Sequence, residues 1–397
     1  MFQFKGQAIK AHNLASQLQI RDQPMIRNSL QSPSTSPAMD PGIWSRLPEE
    51  LLEHVLSFLP LKSFLTLRST CKHFNSLPFS PPFVSKHSSA TCPFSSFLLL
   101  SHPQFCKRVP LYDSTLGRWR NCALSLSLLP PYSIAGSSSV SLLSSSNGLF
   151  CFSLPGSSSF LVCNLLAKSS RVIEFPTYPF AFECFTFVSL PFGYIIFMQC
   201  SAFASVSTFV YDSRLHLWQK FDGFEPILSG NSHQEGVFVN GSFYFTTQEP
   251  FSVACFCLET GKWERLNIDL PRNLTFARLV SDGGLKRYLV GGIGANGISK
   301  SIKLWELVEG GNWIEVESLP ELMCRKFVSV SYHNYDHVNC FWHQGTLCIC
   351  CHTWPEILYY KVSRRTWHWL PKCPSLPDKW SCGFRWFSFV PDLYAFV

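Results

Sequence analysis

The stretch IWSRLPEELLEHVLSFLPLKSFLTLRSTCKHFNSL, residues 43–77, carries more apolar side chains than a fold of its own size can bury. Pro48 suits the first position of a helix, and Glu49 and Glu50 stand in the first turn, where the helix dipole favours carboxylates. Pro60 ends the run, so a helix of about three turns is predicted. Leu51, Leu52, Val55, Leu56 and Leu59 fall at i, i+1, i+4, i+5 and i+8, a wide apolar stripe, with Glu50, Glu53, His54 and Ser57 elsewhere on a solvated face. A second helical piece is expected from Leu61 with Phe64, Leu65 and Leu67, and a third from Ser69 with Cys71, Phe74 and Leu77 inward. A unit of about 40 residues seldom gains more than a few kcal/mol from its own core, so this one needs a partner surface.

The pattern resembles the F-box. It has a Leu-Pro pair (Leu47, Pro48), an aliphatic helix, a second Leu-Pro-Leu (Leu59, Pro60, Leu61), then Leu67, Arg68, Cys71 and Lys72 with an aromatic two residues on. Two positions depart from the usual pattern: Thr70 stands where the family commonly has Val, and Phe74 where it often has Trp. The resemblance implies a small three-helix module that binds the Skp-type adaptor of a Skp-cullin-F-box ubiquitin ligase. Adaptor contact is expected from Leu47, Pro48, Leu51, Leu52, Val55, Leu56, Leu59, Pro60, Leu67, Cys71 and Phe74, some of which must pack the module itself.

The whole chain has 397 residues, 46% hydrophobic and only 15% charged, with 36 Phe. A charge fraction so far below the typical quarter points to buried sheet or membrane. The net charge of +7 is mild and no Lys/Arg run occurs, which argues against nucleic acid as a partner. Seventeen cysteines are scattered through the chain and no secretory signal precedes them, so reduced, buried thiols in the cytoplasm or nucleus are expected.

Residues 1–39 are polar and end in QSPSTSPAMDP, a flexible lead-in; Met39-Asp40-Pro41 looks like an alternative start that leaves residues 1–38 dispensable, and the basic bias at Lys5, Lys10, Arg21 and Arg27 is faintly like a transit peptide. The F-box is bounded at 40–77, and a Pro/Ser-rich connector follows over 78–96. Two long stretches, Asn121 to Ala167 and Cys184 to Tyr211, contain no Asp, Glu, Lys or Arg. Pro, Gly and Ser interrupt them and Phe, Val, Ile and Tyr enrich them, so short strands and turns fit better than a membrane helix.

Repetition decides the architecture of residues 97–397. A turn followed by Trp recurs at Trp119, Trp218, Trp263, Trp313 and Trp367, with Arg171 read at the same place in LLAKSSRV. The spacings of 52, 47, 45, 50 and 54 residues approximate a kelch repeat of about 50 and give six units. Asn147-Gly148, Asn240-Gly241 and Gln344-Gly345 mark hairpin turns. Tyr288-Leu289-Val290-Gly291-Gly292 resembles the kelch strand with its double glycine, in one unit alone, which leaves the blade count free to move by one. The last stretch, FRWFSFVPDLYAFV, is a candidate closing strand. Together the two parts resemble the plant F-box/kelch-repeat proteins: a small all-α F-box followed by an all-β propeller of six kelch-like blades.

Chemistry is harder to find. His333, His337, Cys340, His343, Cys348, Cys350, Cys351 and His352 suggest zinc, but strand alternation splits the cysteines between faces and no Cys-x-x-Cys pair is present, so no metal, cofactor or catalytic residue is assigned. Gly291-Gly292-Ile293-Gly294 lacks the Lys-Ser/Thr of a phosphate loop, and Glu315 with Glu317 reads as a polar rim as readily as a site. Trp354, Arg325 and Lys326 are loop candidates for substrate contact. The expected function is a non-catalytic substrate receptor that joins adaptor and cullin to a protein client. A scaffold forming no ligase, and a propeller with its own small-molecule chemistry, stay open as alternatives.

Overall fold

The computed structural model describes residues 46–59, 63, 66–77, 80, 83, 96–105, 109–122, 140–154, 158–176, 182–202, 205–224, 234–331, 334–376 and 379–397. The chain divides into two compact units, one up to Leu52 and one from Glu53 to the end. In the first, Arg46 and Leu47 turn into helix α1 (Glu49–Ser57). Pro48 stands one residue before it, and its carbonyl accepts from the Leu51 and Leu52 amides at 3.0 and 3.1 Å. It is thus the cap rather than the first helical residue, a place where its missing N–H is equally harmless.

In the second unit α1 closes tightly: the Phe58 amide bonds the Val55 carbonyl and the Leu59 amide the Leu56 carbonyl. Helix α2 (Lys72–Ser76) starts three residues later than Ser69, because Cys71 caps it through Sγ, which accepts from the Phe74 amide at 3.4 Å. Ser69 and Thr70 instead turn their hydroxyls back onto the carbonyls of Thr66 and Leu67. Leu77 is buried as expected, whereas Cys71 is exposed. Pro60, Leu61, Phe64 and Leu65 lie outside the described residues, as do residues 1–45 and most of 78–95.

Beyond them stand six four-stranded antiparallel sheets. The first joins the C-terminal strand β24 (Arg385–Phe389) to β1 (Phe97–Ser101), β2 (Val109–Asp113) and β3 (Arg118–Cys122). Each of the others is four consecutive strands. They are β4 to β7 (Ser141–Ser146, Leu149–Leu154, Ser159–Asn164, Ser169–Glu174), β8 to β11 (Cys184–Leu190, Gly193–Ala202, Ser205–Asp212, Leu217–Asp222) and β12 to β15 (Val237–Val239, Ser242–Thr246, Val253–Cys257, Lys262–Leu266). The last two are β16 to β19 (Leu274–Ser281, Arg287–Ala295, Ile298–Leu307, Trp313–Ser318) and β20 to β23 (Val338–His343, Thr346–Cys351, Trp354–Lys361, Thr366–Trp369). First strands meet around the ring, β24 against β4, β4 against β8, β12 against β16, β16 against β20 and β20 against β24. This is a six-bladed propeller, with few helices. Pairing of β24 with β1, Phe389 opposite Phe97, closes the ring as the C-terminal sequence suggested.

The repeated tryptophans lie on the fourth strands, each opposite the large third-strand residue that precedes the turn: Trp119 with Tyr112, Trp218 with Tyr211, Trp263 with Phe256, Trp313 with Leu307 and Trp367 with Tyr360. In the β4–β7 blade the same register belongs to Ser170, opposite Cys163, and Arg171 is one residue out of phase. Three indoles tie blades together by donating to the preceding blade: Trp119 to Pro371 O, Trp218 to Glu174 O and Trp263 to Thr208 Oγ1, at 2.8 to 2.9 Å.

Strands are not apolar on both faces throughout. The fourth strands carry alternating exposed positions and much of the charge, because they form the outer rim. There Glu315 pairs with Lys303 at 2.8 Å. Asn147-Gly148, Asn240-Gly241 and Gln344-Gly345 each take positive φ at both residues, as a type I′ turn requires. A Cβ on Gly292 would stand 2.1 Å from Ser299 Oγ and 2.4 Å from Thr275 Oγ1, so the double glycine relieves crowding within its own blade.

The two uncharged stretches contribute strands, β4 to β6 and β8 to β10. No helix among the described residues is long and apolar enough to cross a membrane. Helix α3 (Glu321–Ser331) joins β19 to β20, and it holds Arg325 and Lys326 where a loop was expected.

Candidate functional site

The F-box surface begins with α1. Of its apolar stripe, Leu56 is 5% exposed and belongs to the core, while Leu51 and Val55 are 52% and 42% exposed. Phe58, at i+7 from Leu51, is 59% exposed and stacks edge-on against His54 at 4.9 Å. Sequence reasoning passed over Phe58 in favour of its neighbour Leu59, although its spacing continues the Leu51–Val55 row. Leu47, Leu52, Leu59, Leu67 and Phe74 are half-buried, and Pro48 and Cys71 are exposed. Pro60 lies outside the described residues. Exposed greasy residues on a short helix leave apolar area for a second surface to cover.

The propeller offers a second site on its axis. Antiparallel order puts the turns between first and second, and third and fourth strands at one end; the second-to-third turns and the blade connectors share the other. At that latter end a cavity of about 280 Å³ opens among four blades. Its floor is built by the segment leading into β12. Gln234 reaches across the axis, its amide donating to Leu279 O and Cys340 O and its Oε1 accepting from the Cys340 amide. Beside it burial holds the Glu235 carboxyl up at about 7, opposed by the hydroxyl of Ser144 and the charge of Arg385.

Two cations are sunk into this centre without a carboxylate in hydrogen-bond contact among the described residues. Arg278, 8% exposed, gives Nε to Val338 O, Nη1 to Ala277 O and Nη2 to Tyr335 O, at 2.9, 2.8 and 2.6 Å. Arg385 bonds the Leu142 and Leu143 carbonyls at 3.0 and 2.9 Å. Desolvation lowers the pKa of both. Nothing in the sequence patterning singled out Gln234, Glu235, Arg278 or Arg385. The available signal was a lone ionisable residue inside an apolar strand, as in LTFARLVS and FRWFSF.

The histidines and cysteines considered as zinc ligands diverge. His343 uses both ring nitrogens on hydroxyls, Ser114 Oγ at 2.6 Å and Ser388 Oγ at 2.9 Å. Burial pushes Cys340 and Cys348 up to about 12, so these thiols stay protonated, and His333 lies outside the described residues. Among the described residues no group of three or more His, Cys, Asp or Glu comes together as a metal site.

Comparison with known proteins follows the same division. The F-box domain model matches residues 44–86. An F-box/kelch-repeat protein of Arabidopsis thaliana is 52% identical over 384 residues, spanning 92% of this chain and 93% of that protein. Protein ABERRANT PANICLE ORGANIZATION 1 of Oryza sativa subsp. japonica is 27% identical over 93% of both chains. Protein UNUSUAL FLORAL ORGANS of Arabidopsis thaliana is 25% identical over 85% of this chain and 80% of its own. With an F-box ahead of six four-stranded blades, and a relative matched at that identity over nearly the whole of both sequences, the chain belongs to the plant F-box/kelch-repeat family.

Proposed function

We propose that the chain is the substrate receptor of a Skp-cullin-F-box ubiquitin ligase. Its F-box, taken as a three-helix module over 40–77, docks on the Skp-type adaptor and through it on cullin; the segment 78–96 sets the distance, and the propeller from 97 onward holds a protein client. The observation that carries this reading is the division within α1, where Leu56 is buried while Leu51 and Val55 are about half exposed. A helix closed within its own module has no reason to leave that row uncovered. Adaptor contact is assigned to Leu47, Pro48, Leu51, Leu52, Val55, Leu59, Pro60, Leu67, Cys71 and Phe74, with Leu56 packing the module.

In this role the chain supplies proximity, and bond formation belongs to the ubiquitin-conjugating enzyme of the assembly. The free cysteines of the described residues, most of them buried, suit a reducing compartment, the cytoplasm or nucleus. A pull-down with recombinant Skp-type adaptor tests the reading: Leu47→Ala with Pro48→Ala is expected to lose most of the retained adaptor, and undiminished retention would count against it.

A further inference from the structure

The axial cavity has an uneven chemistry. Among the described residues several of its hydrogen-bond donors are engaged inside its own walls, although Arg278 keeps two of its five N–H groups over and Gln248 adds an amide to the lining. Arg278 is tied to three backbone carbonyls, Thr246 Oγ1 donates to Ala277 O, Thr247 Oγ1 to Pro250 O, and the Gln234 amide to carbonyls across the axis. Three carboxyls line the space among the described residues, Glu235 at the floor and Glu249 and Asp336 at the rim, with Tyr244 and Phe251 as walls. Against these stand the buried charge of Arg278 and, behind Tyr244, Arg287 stacked at 5.1 Å from the ring.

A guest that brings donors and positive charge gains partners here, since among the described residues of the lining three carboxyls stand against the single guanidinium of Arg278. The aromatic walls favour the same guest, since a cation over a ring face is attracted to it. A volume of about 280 Å³ lies at the lower edge of ligand pockets, enough for one extended side chain and too little for a folded surface.

We propose that this cavity receives an arginine or lysine side chain of the protein that the chain recruits. The proposal rests on the receptor reading above and names the chemistry by which the client is recognised. Arg278 then serves to fix the Val338, Ala277 and Tyr335 carbonyls that shape the wall, and Asp336 and Glu249 take the incoming charge.

The test uses the full chain bound to a Skp-type adaptor, presented with immobilised heptapeptides of random flanks and a central Arg, Lys, Glu or Leu. Arg and Lys peptides are expected to be retained at least about fivefold over Glu and Leu peptides, the factor that two rim carboxylates in exposed ion pairs provide. Glu249→Gln with Asp336→Asn, both exposed positions that leave the fold undisturbed, is expected to abolish most of this preference. Equal retention of all four peptide classes, or a preference untouched by the double variant, overturns the proposal. Binding of free arginine or putrescine without peptide selection overturns it too, since the ligand would then be a small amine. Adaptor retained in the same samples separates failure of this subsite from failure of the receptor reading.

Discussion

Truncating Leu51 and Val55 of α1 should weaken adaptor binding without unfolding the chain. Leu51 and Val55 are 52% and 42% exposed, so about half of each side chain is still available for burial by a partner. Full burial of such a residue contributes ~1.5–3 kcal/mol, and half of that is ~1 kcal/mol each. Leu51→Ala with Val55→Ala therefore costs ~2 kcal/mol of binding, a rise of about 30-fold in Kd. Folding should hardly notice, since exposed substitutions of this kind stay within ~0.5 kcal/mol. Leu56→Ala is the contrasting case: at 5% exposure it opens a cavity and costs ~2–5 kcal/mol of stability. Titration calorimetry with the adaptor, beside thermal unfolding of each variant, separates the two. Unchanged affinity in the double variant with unchanged melting would refute the assignment of that pair to the adaptor.

Three further outcomes follow from particular side chains. Cys71 is exposed in the F-box and Cys382 in the propeller, so both should alkylate readily in the free chain, and mass spectrometry should find Cys71 alone protected once adaptor is added. The Trp218 indole donates to Glu174 O at 2.8 Å while the Trp367 indole nitrogen is buried without a partner. Trp218→Phe is thus expected to destabilise by about 1 kcal/mol more than Trp367→Phe in urea unfolding. Burial holds His343 down at about 4. Between that value and its ordinary 6.5 the unfolded chain binds a proton that the folded chain does not, so its contribution, ~3 kcal/mol at most, is present at neutral pH and lost on acidification. Glu235, held up at about 7, acts oppositely and strengthens the fold as pH falls toward 4.5. In a pH series of unfolding curves, His343→Gln should flatten the acid-sensitive limb and Glu235→Gln should steepen it.

Much of the fold could be read because its devices are local. Pro48 with Glu49 and Glu50 starts a helix by its own chemistry, Asn-Gly pairs set hairpins, and a Trp after a short turn repeats in five of the six blades. The closing strand was legible for the same reason, as an unpaired aromatic run, FRWFSF, left over at the end. Phase failed where the marker was missing: without a tryptophan in LLAKSSRV nothing distinguished Ser170 from Arg171, and only the register opposite Cys163 does.

Helix α3 was overlooked although Cys324, Phe327, Val328 and Ser331 recur at i, i+3, i+4 and i+7 after Pro320, because the reading expected only loops between blades. The axial groups were illegible for a deeper reason. Gln234, Arg278, Cys340 and Arg385 come from four blades and more than a hundred residues of separation, and their bonds run to or from backbone carbonyls and amides that any sequence supplies.

The central claim is that the F-box makes this chain part of a cullin assembly. Affinity purification from plant cells with the proteasome inhibited, comparing the intact chain with one lacking residues 40–86, tests it most directly. The account predicts that Skp-type adaptor, cullin and ubiquitin-modified clients accompany the intact chain, and that the shortened chain keeps clients but loses adaptor and cullin. Cullin recovered equally with both, or with neither, would contradict it.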